Sequence, residues 1–363
     1  MTQRAAIVVE DDPFTRLIEV VLDPAATAER RAAFADFFAH DEPDFAGWCD
    51  RVRRAASALY PAEVRLVSSQ TEMRERLPGA HALVVESLHV GHTELAAADR
   101  LAVVQKYGTI TRNIDADACA TGNVKILTLR RRANIACAEH TFALMLALAK
   151  KLHRLHGLIS NEQLTAAGYS PQSFDRKHTA GSNWGRIGGL QMLYASKLGI
   201  VGLGEIGREV ALRAAGFGMR VLYYQRTRLP AVEEQQLNAE YFPLDKLLAQ
   251  SDWVAINLPG SPSTHNLIDG TRLARMKRGA CLINISRAEI IERDALIAAL
   301  ASGHLGGFAL DPLYEEPGRT DDALLKFDNV ILTPHIAAQP RFNALNDIEE
   351  LIVGLARTLA PTL

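Results

Sequence analysis

The chain alternates between short apolar runs and longer stretches whose apolar residues recur at spacings of three and four. The first pattern is typical of buried strands and the second of amphipathic helices. Strands are predicted at residues 5–9, 64–67, 82–86, 101–105, 124–129, 198–201, 220–224, 253–257, 280–285, 307–310 and 330–332. Helices are predicted at residues 71–77, 93–98, 134–155, 244–250, 270–276, 293–301 and 343–359. Such alternation predicts parallel sheets covered by helices.

Two stretches depart from this alternation. Residues 25–60 are rich in Ala and Arg with helical spacing, broken near Asp41 to Pro43, which predicts two further helices. We expect these helices to be structural or oligomeric, with a partner-binding surface as the alternative. Residues 157–189 are rich in Gly, Ser, Asn and Gln without a period, which predicts a long surface connection between domains.

The strand predicted at 198–201 leads into Gly202-x-Gly204-x-x-Gly207, and a helical pattern follows. In such a unit the first glycine makes a tight turn, the second lets the backbone approach a pyrophosphate, and the third lets helix and strand pack closely. The helix N-terminus favours an anion because of its free N–H groups and dipole. The sequence therefore predicts a dinucleotide site, with Glu205 and Ile206 inside the turn.

The strand predicted at 220–224 is followed by Gln225-Arg226-Thr227-Arg228. NAD-binding sites usually have Asp or Glu here to hold the ribose 2′-hydroxyl. Gln225 lacks the carboxylate that would repel a 2′-phosphate, and Arg226, Thr227 and Arg228 could donate hydrogen bonds to one. NADP is therefore favoured over NAD as the cofactor. The alternative is an exposed basic loop beside bound NAD.

Three later strands are followed by ionisable side chains. Arg287, Glu316 and His335 come after the strands at 280–285, 307–310 and 330–332. Ligands of open α/β sheets bind beyond the carboxyl ends of the strands. These residues would bring a cation, an acid and a titratable base to one site.

Composition narrows the class of protein. The 363 residues are enough for two domains, and 48% hydrophobic with 23% charged residues is ordinary for a globular protein. A net charge of −2 gives no field that favours nucleic acid or an acidic membrane. We expect a cytoplasmic protein without a signal peptide, a membrane span or a metal site, because the N-terminus is acidic and the four cysteines are scattered.

A set of motifs flanks the glycine turn in a specific order and spacing. They are VQKYGTITRNID (104–115), AEHTFALMLAL (138–148), NISRAEIIERDAL (284–296), ALDPLYEEP (309–317) and NVILTPHIA (329–337). Over about residues 101–338 the chain thus resembles the D-isomer-specific 2-hydroxyacid dehydrogenase family. The resemblance implies an NAD(P)-dependent oxidoreductase that moves a hydride between nicotinamide and a small D-2-hydroxyacid or 2-oxoacid.

The resemblance also implies roles for individual residues. Arg287 would bind the substrate carboxylate and polarise the carbonyl. His335 would donate a proton during reduction and accept one during oxidation, with Glu316 as its acidic partner and Glu315 as the competing candidate. A neighbouring carboxylate favours the protonated form of an imidazole. Further cofactor contacts are implied as follows: Ser286 and Asp311 at the nicotinamide carboxamide, and Pro259 near the adenosine half.

The chain departs from the family pattern at two loops. Ile110 stands where a glycine is common, although the backbone donors of Thr109 and Ile110 would still bind the substrate. Arg130, Arg131 and Arg132 precede the helix predicted at 134–155. They form either a solvated loop or, in the sharper hypothesis, a site at which one arginine binds a second anionic group of the substrate.

The resemblance implies an α/β fold with two doubly wound parallel sheets. A Rossmann dinucleotide-binding domain (134–338) would be inserted in a flavodoxin-like substrate domain (1–133), which the C-terminal helix (339–363) completes. The cleft between them would close on the substrate, and a homodimer would form through the cofactor domain. Two alternatives remain open: a formate- or phosphite-type dehydrogenase, and a dinucleotide-sensing scaffold of the corepressor type.

Overall fold

The computed structural model, which describes residues 4–361, places the strands in two separate parallel sheets. The chain divides into two units, one formed by the described residues up to Ala136 and from Ala338 onward, the other by Cys137–Ala337. The sequence analysis predicted these domain boundaries between residues 133 and 134 and between residues 338 and 339. The ends of the predicted substrate domain, residues 1–3 and 362–363, lie outside the described residues.

The first unit contains a sheet of five strands in the order β2-β1-β3-β4-β5. Its strands are β1 (Ala5–Glu10), β2 (Ala62–Val67), β3 (Ala82–Val85), β4 (Val103–Lys106) and β5 (Lys125–Leu127). This is the flavodoxin-like order of a doubly wound sheet. Strands β1, β3 and β4 are buried throughout, as expected where helices cover both faces.

The second unit contains a sheet of seven strands in the order β12-β11-β10-β9-β6-β7-β8. Its strands are β6 (Lys197–Val201), β7 (Arg220–Tyr224), β8 (Ala239–Tyr241), β9 (Trp253–Ile256), β10 (Cys281–Asn284), β11 (Gly307–Leu310) and β12 (Val330–Leu332). The order reverses between β6 and β9, which makes this a Rossmann-type sheet with its switch point there. The predicted α/β class with two doubly wound parallel sheets is confirmed.

The helices lie between the strands along the chain. They are α1 (Leu17–Leu22), α2 (Ala28–Phe38), α3 (Phe45–Ala55), α4 (Gln70–Arg76), α5 (His92–Ala96), α6 (Ala116–Thr121), α7 (Arg132–Ala149), α8 (Leu152–Leu155), α9 (Asn161–Ala166), α10 (Glu205–Gly216), α11 (Ala231–Leu237), α12 (Leu244–Gln250), α13 (Gly270–Arg275), α14 (Arg293–Ala301) and α15 (Phe342–Leu359). Within residues 4–361, none of them has the length and apolar character needed to cross a membrane.

The two helices predicted within 25–60 are present as α2 and α3. Thr27 and Asp44 cap them, because each side chain accepts a hydrogen bond from a backbone N–H of the first turn. Phe38, Trp48 and Val52 are buried in the same core as β1 and the C-terminal helix α15. These helices therefore extend the core of the first unit, as the structural interpretation predicts.

Two predictions along the chain were wrong, and some short elements were not predicted. The helix predicted at 134–155 ends at Ala149, because Lys151 adopts a left-handed conformation with φ of +53° before the short α8. The segment 157–189 does not connect the units, since it lies wholly in the second unit and contains α9. Strand β8 and the helices α1, α6 and α11 were not predicted; they are short, with three to seven residues each.

Candidate active site

The carboxyl ends of five neighbouring strands in the second unit lie in register. Val201 of β6 pairs with Ile256 of β9, and Ile256 pairs with Asn284 of β10. Across the next two strands, Asn284 pairs with Leu310, and Leu310 pairs with Leu332. Residues that follow these positions therefore lie along one edge of the sheet, next to the switch point.

The glycine turn begins at that edge. Gly202 has φ of +98°, and a Cβ there would overlap the carbonyl of Asn257. A Cβ on Gly207 would overlap the carbonyl of Gly202, well inside the 3.0 Å that real Cβ atoms essentially never breach. By contrast, a Cβ on Gly204 would meet nothing within 4 Å among the described residues. Two glycines thus allow the turn itself to form, whereas Gly204 leaves open space in front of it.

That open space suits a dinucleotide. Gly204 is exposed and is the N-cap of α10, a helix of 12 residues whose first turn contains the half-buried Glu205 and Ile206. Its N-terminus offers the N–H groups and dipole that favour an anion. Across the switch point, the buried Oδ1 of Asn257 has no hydrogen-bond partner among residues 4–361. An open turn and an unsatisfied buried acceptor both fit a bound polar ligand here.

Arg287 is held by the residue that ends β10. The side chain of Asn284 is fully buried; it accepts a hydrogen bond from Ser286 N at 2.9 Å and donates one to Arg287 O at 2.7 Å. The Oγ of Ser286 donates to the carbonyl of Ile256 at 2.7 Å. These contacts fix the backbone while the side chain of Arg287 stays exposed, with one donor on Ser286 O at 2.7 Å. Its other guanidinium donors form no hydrogen bond among residues 4–361, and such donors match a planar anion.

The loop after β9 lies beside Arg287. A Cβ on Gly260 would be 3.0 Å from Arg287 Cγ, so the backbone there approaches the arginine stem closely. Pro259, which precedes it, is exposed, and its carbonyl accepts a hydrogen bond from Thr264 Oγ1 at 2.8 Å. Pro259 is therefore positioned on a short, internally bonded turn next to the cationic group.

His335 and Glu316, which the sequence analysis predicted as an acid–base pair, lie within hydrogen-bond distance of each other. His335 Nδ1 lies 3.0 Å from the Glu316 carboxylate, which also accepts from Leu313 N at 3.0 Å. A carboxylate only accepts, so Nδ1 carries the hydrogen and Nε2 points away from this contact. The hydrogen bond from His335 holds the pKa of Glu316 below its usual range. Glu316, and not Glu315, is thus the acidic partner.

Asp311 anchors the backbone around His335. Its carboxylate is fully buried and accepts hydrogen bonds from Thr333 Oγ1 at 2.6 Å and from the N–H groups of Ile336 and Ala337, both at 2.8 Å. Burial raises the pKa of this carboxyl, but the hydrogen bonds, including one from His140, outweigh burial and hold it below its usual range.

This anchoring opposes local strain. His335 has φ of +55°, a left-handed conformation that costs on the order of 1–3 kcal/mol for a residue other than glycine. Hydrogen bonds to a charged acceptor contribute about 1.5–3 kcal/mol each. The two backbone bonds from Ile336 and Ala337 are therefore large enough to offset this cost as long as the Asp311 carboxylate stays in place.

The two arginines of the loop after β7, Arg226 and Arg228, have different surroundings. Arg228 forms two hydrogen bonds of 2.8 Å with Glu234, which also accepts from Tyr223 OH at 2.6 Å. The contacts with Arg228 and Tyr223 lower the pKa of Glu234 to about 2. Arg226 is exposed and has no ion pair within residues 4–361, and Gln225 Nε2 donates to Thr227 O at 2.5 Å. Arg228 is thus engaged with a carboxylate, whereas Arg226 is available to an anion.

Comparisons with known proteins agree with this geometry. The family model of the D-isomer specific 2-hydroxyacid dehydrogenase NAD binding domain matches residues 142–337. A glyoxylate reductase of Pyrococcus horikoshii is 36% identical over 255 residues, which are 70% of this chain and 72% of that protein.

The chain belongs to the D-isomer-specific 2-hydroxyacid dehydrogenase family. It is accordingly an NAD(P)-dependent dehydrogenase that acts on a CH–OH group. Two solved structures share the fold of this dehydrogenase. The holo form of Rhodotorula graminis D-mandelate dehydrogenase has a TM-score of 0.54 at 24% identity, covering 97% of this chain and 93% of that one. A glyoxylate reductase from Paecilomyes thermophila has a TM-score of 0.52 at 23% identity, covering 100% and 97%.

In the first unit of the dehydrogenase, Thr109 and Ile110 follow strand β4, with Thr109 exposed and Ile110 half-buried. Both stay predicted substrate contacts. Nearby, the guanidinium of Arg131 lies 4.1 Å from the centre of the buried Tyr107 ring, a cation–π contact.

The hypothesis of a second substrate-binding arginine was wrong for Arg132. Its guanidinium donates to Asp347 at 2.9 Å and to Glu350 at 2.8 Å, both on α15, and its backbone N–H bonds the same aspartate. Asp347 is fully buried, and burial raises the pKa of its carboxyl in spite of Arg132. Removing the arginine would leave that carboxyl unpaired, so Arg132 has a structural role.

Sequence reasoning missed three residues at the edge of the second sheet. His140 of α7 lies 3.2 Å from Thr333 Oγ1 and 3.4 Å from Asp311 Oδ1. Thr333 links the two, and Asn284 holds the Arg287 turn. Nothing local marks His140, because its partners are more than 170 positions away in the chain. Among residues 4–361, no group of three His, Cys, Asp or Glu side chains is arranged to hold a metal ion.

The glycine turn gives a prediction that separates folding from binding. Gly207→Ala should lower the thermal midpoint of the protein and abolish binding of NADP, because its methyl group overlaps the Gly202 carbonyl. Gly204→Ala should fold normally and still weaken NADP binding, because its methyl group fills the space in front of the helix. Differential scanning fluorimetry and calorimetric titration measure the two effects. Tight binding by Gly204→Ala would contradict the assigned position of the ligand.

Proposed function

We propose that this dehydrogenase reduces a small 2-oxoacid to its D-2-hydroxyacid, with NADPH as the preferred cofactor. The observation that carries the proposal is the His335–Glu316 pair at the same sheet edge as Arg287 and the glycine turn. The similarity to a protein named glyoxylate reductase supports a small 2-oxoacid. In this proposal the second unit binds the cofactor, and the first unit contributes the backbone of Thr109 and Ile110 to substrate binding.

A nicotinamide cofactor, when bound at the glycine turn, would supply the hydride for the carbonyl carbon. Arg287 binds the substrate carboxylate and draws electron density from the carbonyl through its free donors. His335 donates the proton on Nε2 to the oxygen as it becomes an alkoxide, while Glu316 stabilises the imidazolium through Nδ1. In the reverse direction the same nitrogen accepts the hydroxyl proton.

The remaining predicted cofactor contacts fit this mechanism. Ser286 lies between the Arg287 backbone and β9, where its N–H and hydroxyl are hydrogen-bonded and its carbonyl accepts from Arg287 at 2.7 Å. A carboxamide would therefore use the second lone pair of that carbonyl. Pro259 lies on the adjoining turn. Asp311 has its carboxylate engaged by the loop 333–337, so any contact with nicotinamide is additional to this structural role.

Removing the proposed acid tests the mechanism. His335→Ala should lower kcat for 2-oxoacid reduction by ~10²–10⁴-fold, the range for a general acid, and leave NADPH affinity near normal. His153→Ala is the matched control, because this exposed histidine of the same unit lies away from the site, with its ring 2.9 Å from the Asp328 carbonyl. Stopped-flow absorbance at the NADPH band measures both variants. Near-normal turnover by His335→Ala would remove it from the mechanism.

A substrate panel tests the function itself. Glyoxylate, pyruvate, 2-oxoglutarate and oxaloacetate are each assayed with NADPH and NADH, and formate and phosphite with the oxidised cofactors. We expect reduction of at least one 2-oxoacid. Oxidation of formate or phosphite alone would favour the alternative dehydrogenases, and cofactor binding without any turnover would favour a dinucleotide-sensing scaffold.

The cofactor preference rests on Arg226. A 2′-phosphate would take charge-assisted hydrogen bonds from its exposed guanidinium, and Gln225 brings no negative charge to oppose it. Arg228, which the sequence also offered as a donor, is already paired with Glu234. The preference is therefore assigned to Arg226, with Thr227 beside it.

Replacing Arg226 tests this preference. Arg226→Gln should weaken binding of 2′,5′-ADP by about 10- to 100-fold, the loss of one hydrogen bond between charged groups, and leave 5′-AMP binding unchanged. Arg220→Gln is the control, since this exposed arginine starts the same strand and pairs with Glu240. Calorimetric titration measures both ligands. If the wild type binds 2′,5′-ADP and 5′-AMP with equal affinity, the proposed preference for NADP is refuted.

We also propose that a second copy of the chain associates with the second unit. Eight of the fourteen exposed large apolar side chains among residues 4–361 lie between Leu152 and Phe217. Contiguous exposed apolar patches mark association surfaces, and the proposal is that side chains of this segment contribute to one.

Charge placed on this surface tests the homodimer. Ile159→Asp and Met192→Asp should shift the mass in sedimentation equilibrium from dimer to monomer, because these side chains are 81% and 64% exposed and a buried carboxylate opposes association. Leu325→Asp, 56% exposed in the wild type and outside the cluster, should leave the mass unchanged. A monomeric wild type would refute this assembly.

A further inference from the structure

His140 lies behind the loop that contains His335. It is on α7, its side chain is 16% exposed, and its Nε2 is 3.2 Å from Thr333 Oγ1. Thr333 donates its hydroxyl hydrogen to Asp311 Oδ1 at 2.6 Å, so that oxygen remains free to accept from His140. The contacts thus form a directed chain of hydrogen bonds from His140 to Thr333 to Asp311, with the hydrogen of His140 on Nε2.

Asp311 links this series of hydrogen bonds to the backbone at His335 and at the two residues that follow it. Its backbone carbonyl accepts from His335 N at 3.0 Å, and its carboxylate accepts from the N–H groups of Ile336 and Ala337. The backbone conformation at His335 therefore depends on where the Asp311 carboxylate lies. Thr333 and His140 are the side chains that fix that position.

The carboxylate would otherwise have freedom to rotate. Oδ1 receives three contacts, from Thr333, Ile336 and His140, whereas Oδ2 receives one, from Ala337. Without the histidine, the threonine hydroxyl would lose its own donor and could turn away from Asp311. A shift of the carboxylate would then relax the left-handed conformation of His335 and move its ring relative to Glu316.

We propose that His140 is a positioning residue for His335, which acts through Thr333 and Asp311. The proposal rests on the assignment of His335 as the proton donor under the proposed function. His140 exchanges no proton with the substrate; it sets the direction from which His335 delivers one. Productive proton transfer needs hydrogen-bond reach to the reacting oxygen, so a small displacement of the ring lowers the rate.

The test compares two replacements of His140. In His140→Gln, the side-chain amide reaches about as far as imidazole Nε2 and donates to Thr333; in His140→Ala, the donor is lost. We expect His140→Ala to lower kcat about tenfold with the dissociation constant for NADPH unchanged, and His140→Gln to recover most of this loss. Glu139→Gln is the control, because this exposed neighbour pairs with Arg213 and not with the His140 chain. Thermal unfolding of each variant verifies that it is folded.

A double-mutant cycle tests the route of the effect. Thr333→Val removes the hydroxyl between His140 and Asp311. If the two residues act as one chain, the double variant should lose no more activity than the more damaged single variant. If the fold-loss of activity in the double variant equals the product of the losses in the two single variants, the residues act independently, and the proposal is overturned.

A spectroscopic readout separates this proposal from the proposed function. In the ligand-free protein, the ring ¹⁵N signals of His335, assigned by their loss in His335→Gln, should shift in His140→Ala and not in Glu139→Gln. Unchanged signals together with normal kcat in His140→Ala would refute positioning while leaving His335 as the acid. If His335→Ala retains full activity, the proposed function fails, and the ring signals still report whether His140 positions His335. A folded His140→Gln as slow as His140→Ala would indicate packing alone and would also overturn the proposal.

Discussion

The register of the parallel strands is the constraint on which the candidate site depends. Strands β6, β9, β10, β11 and β12 pair so that their last residues lie side by side. The loops of the second unit that carry candidate functional groups begin at this line or at Tyr224 of β7, which pairs with Val201. A shift of one residue in any strand would turn its side chains to the opposite face and displace the loop that follows. The chemistry is therefore local to an edge, although its residues come from 202 to 335 in the sequence.

Two carboxylates at this edge have different tasks because their surroundings differ. Asp311 is fully buried and bonded by donors from one loop and one helix, so its charge fixes backbone. Glu316 is partly exposed and bonded to a single imidazole, so its charge acts on a titratable group. In both cases hydrogen bonds lower the pKa, and both remain ionised at neutral pH.

Three arginines illustrate how a partner decides what a cation does. Arg132 pairs with the buried Asp347, and Arg228 with Glu234, and both are occupied by the protein itself. Within residues 4–361, the Arg287 side chain hydrogen-bonds only to a backbone carbonyl, which leaves most of its donors for an anion. The local sequence around these arginines does not distinguish their roles. Their roles differ because the fold places an acidic side chain beside two of them and not beside the third.

Local sequence determined much of this protein. The glycine spacing specified the turn, because the positive φ of Gly202 and the close approach of Gly207 to the Gly202 carbonyl are local to the motif. Apolar periodicity specified most strands and helices. The resemblance of motifs added Arg287, Glu316 and His335, and the structure brings Glu316 to His335. Tertiary structure decided the rest. Several features depend on which residues the fold places nearby, and composition does not specify these neighbours. They are the break at Lys151, the short β8 and the contacts of Arg132 and Arg228. His140 is the clearest case, since a lone histidine on a helix acquires its role only from Thr333 and Asp311, which chain folding places beside it.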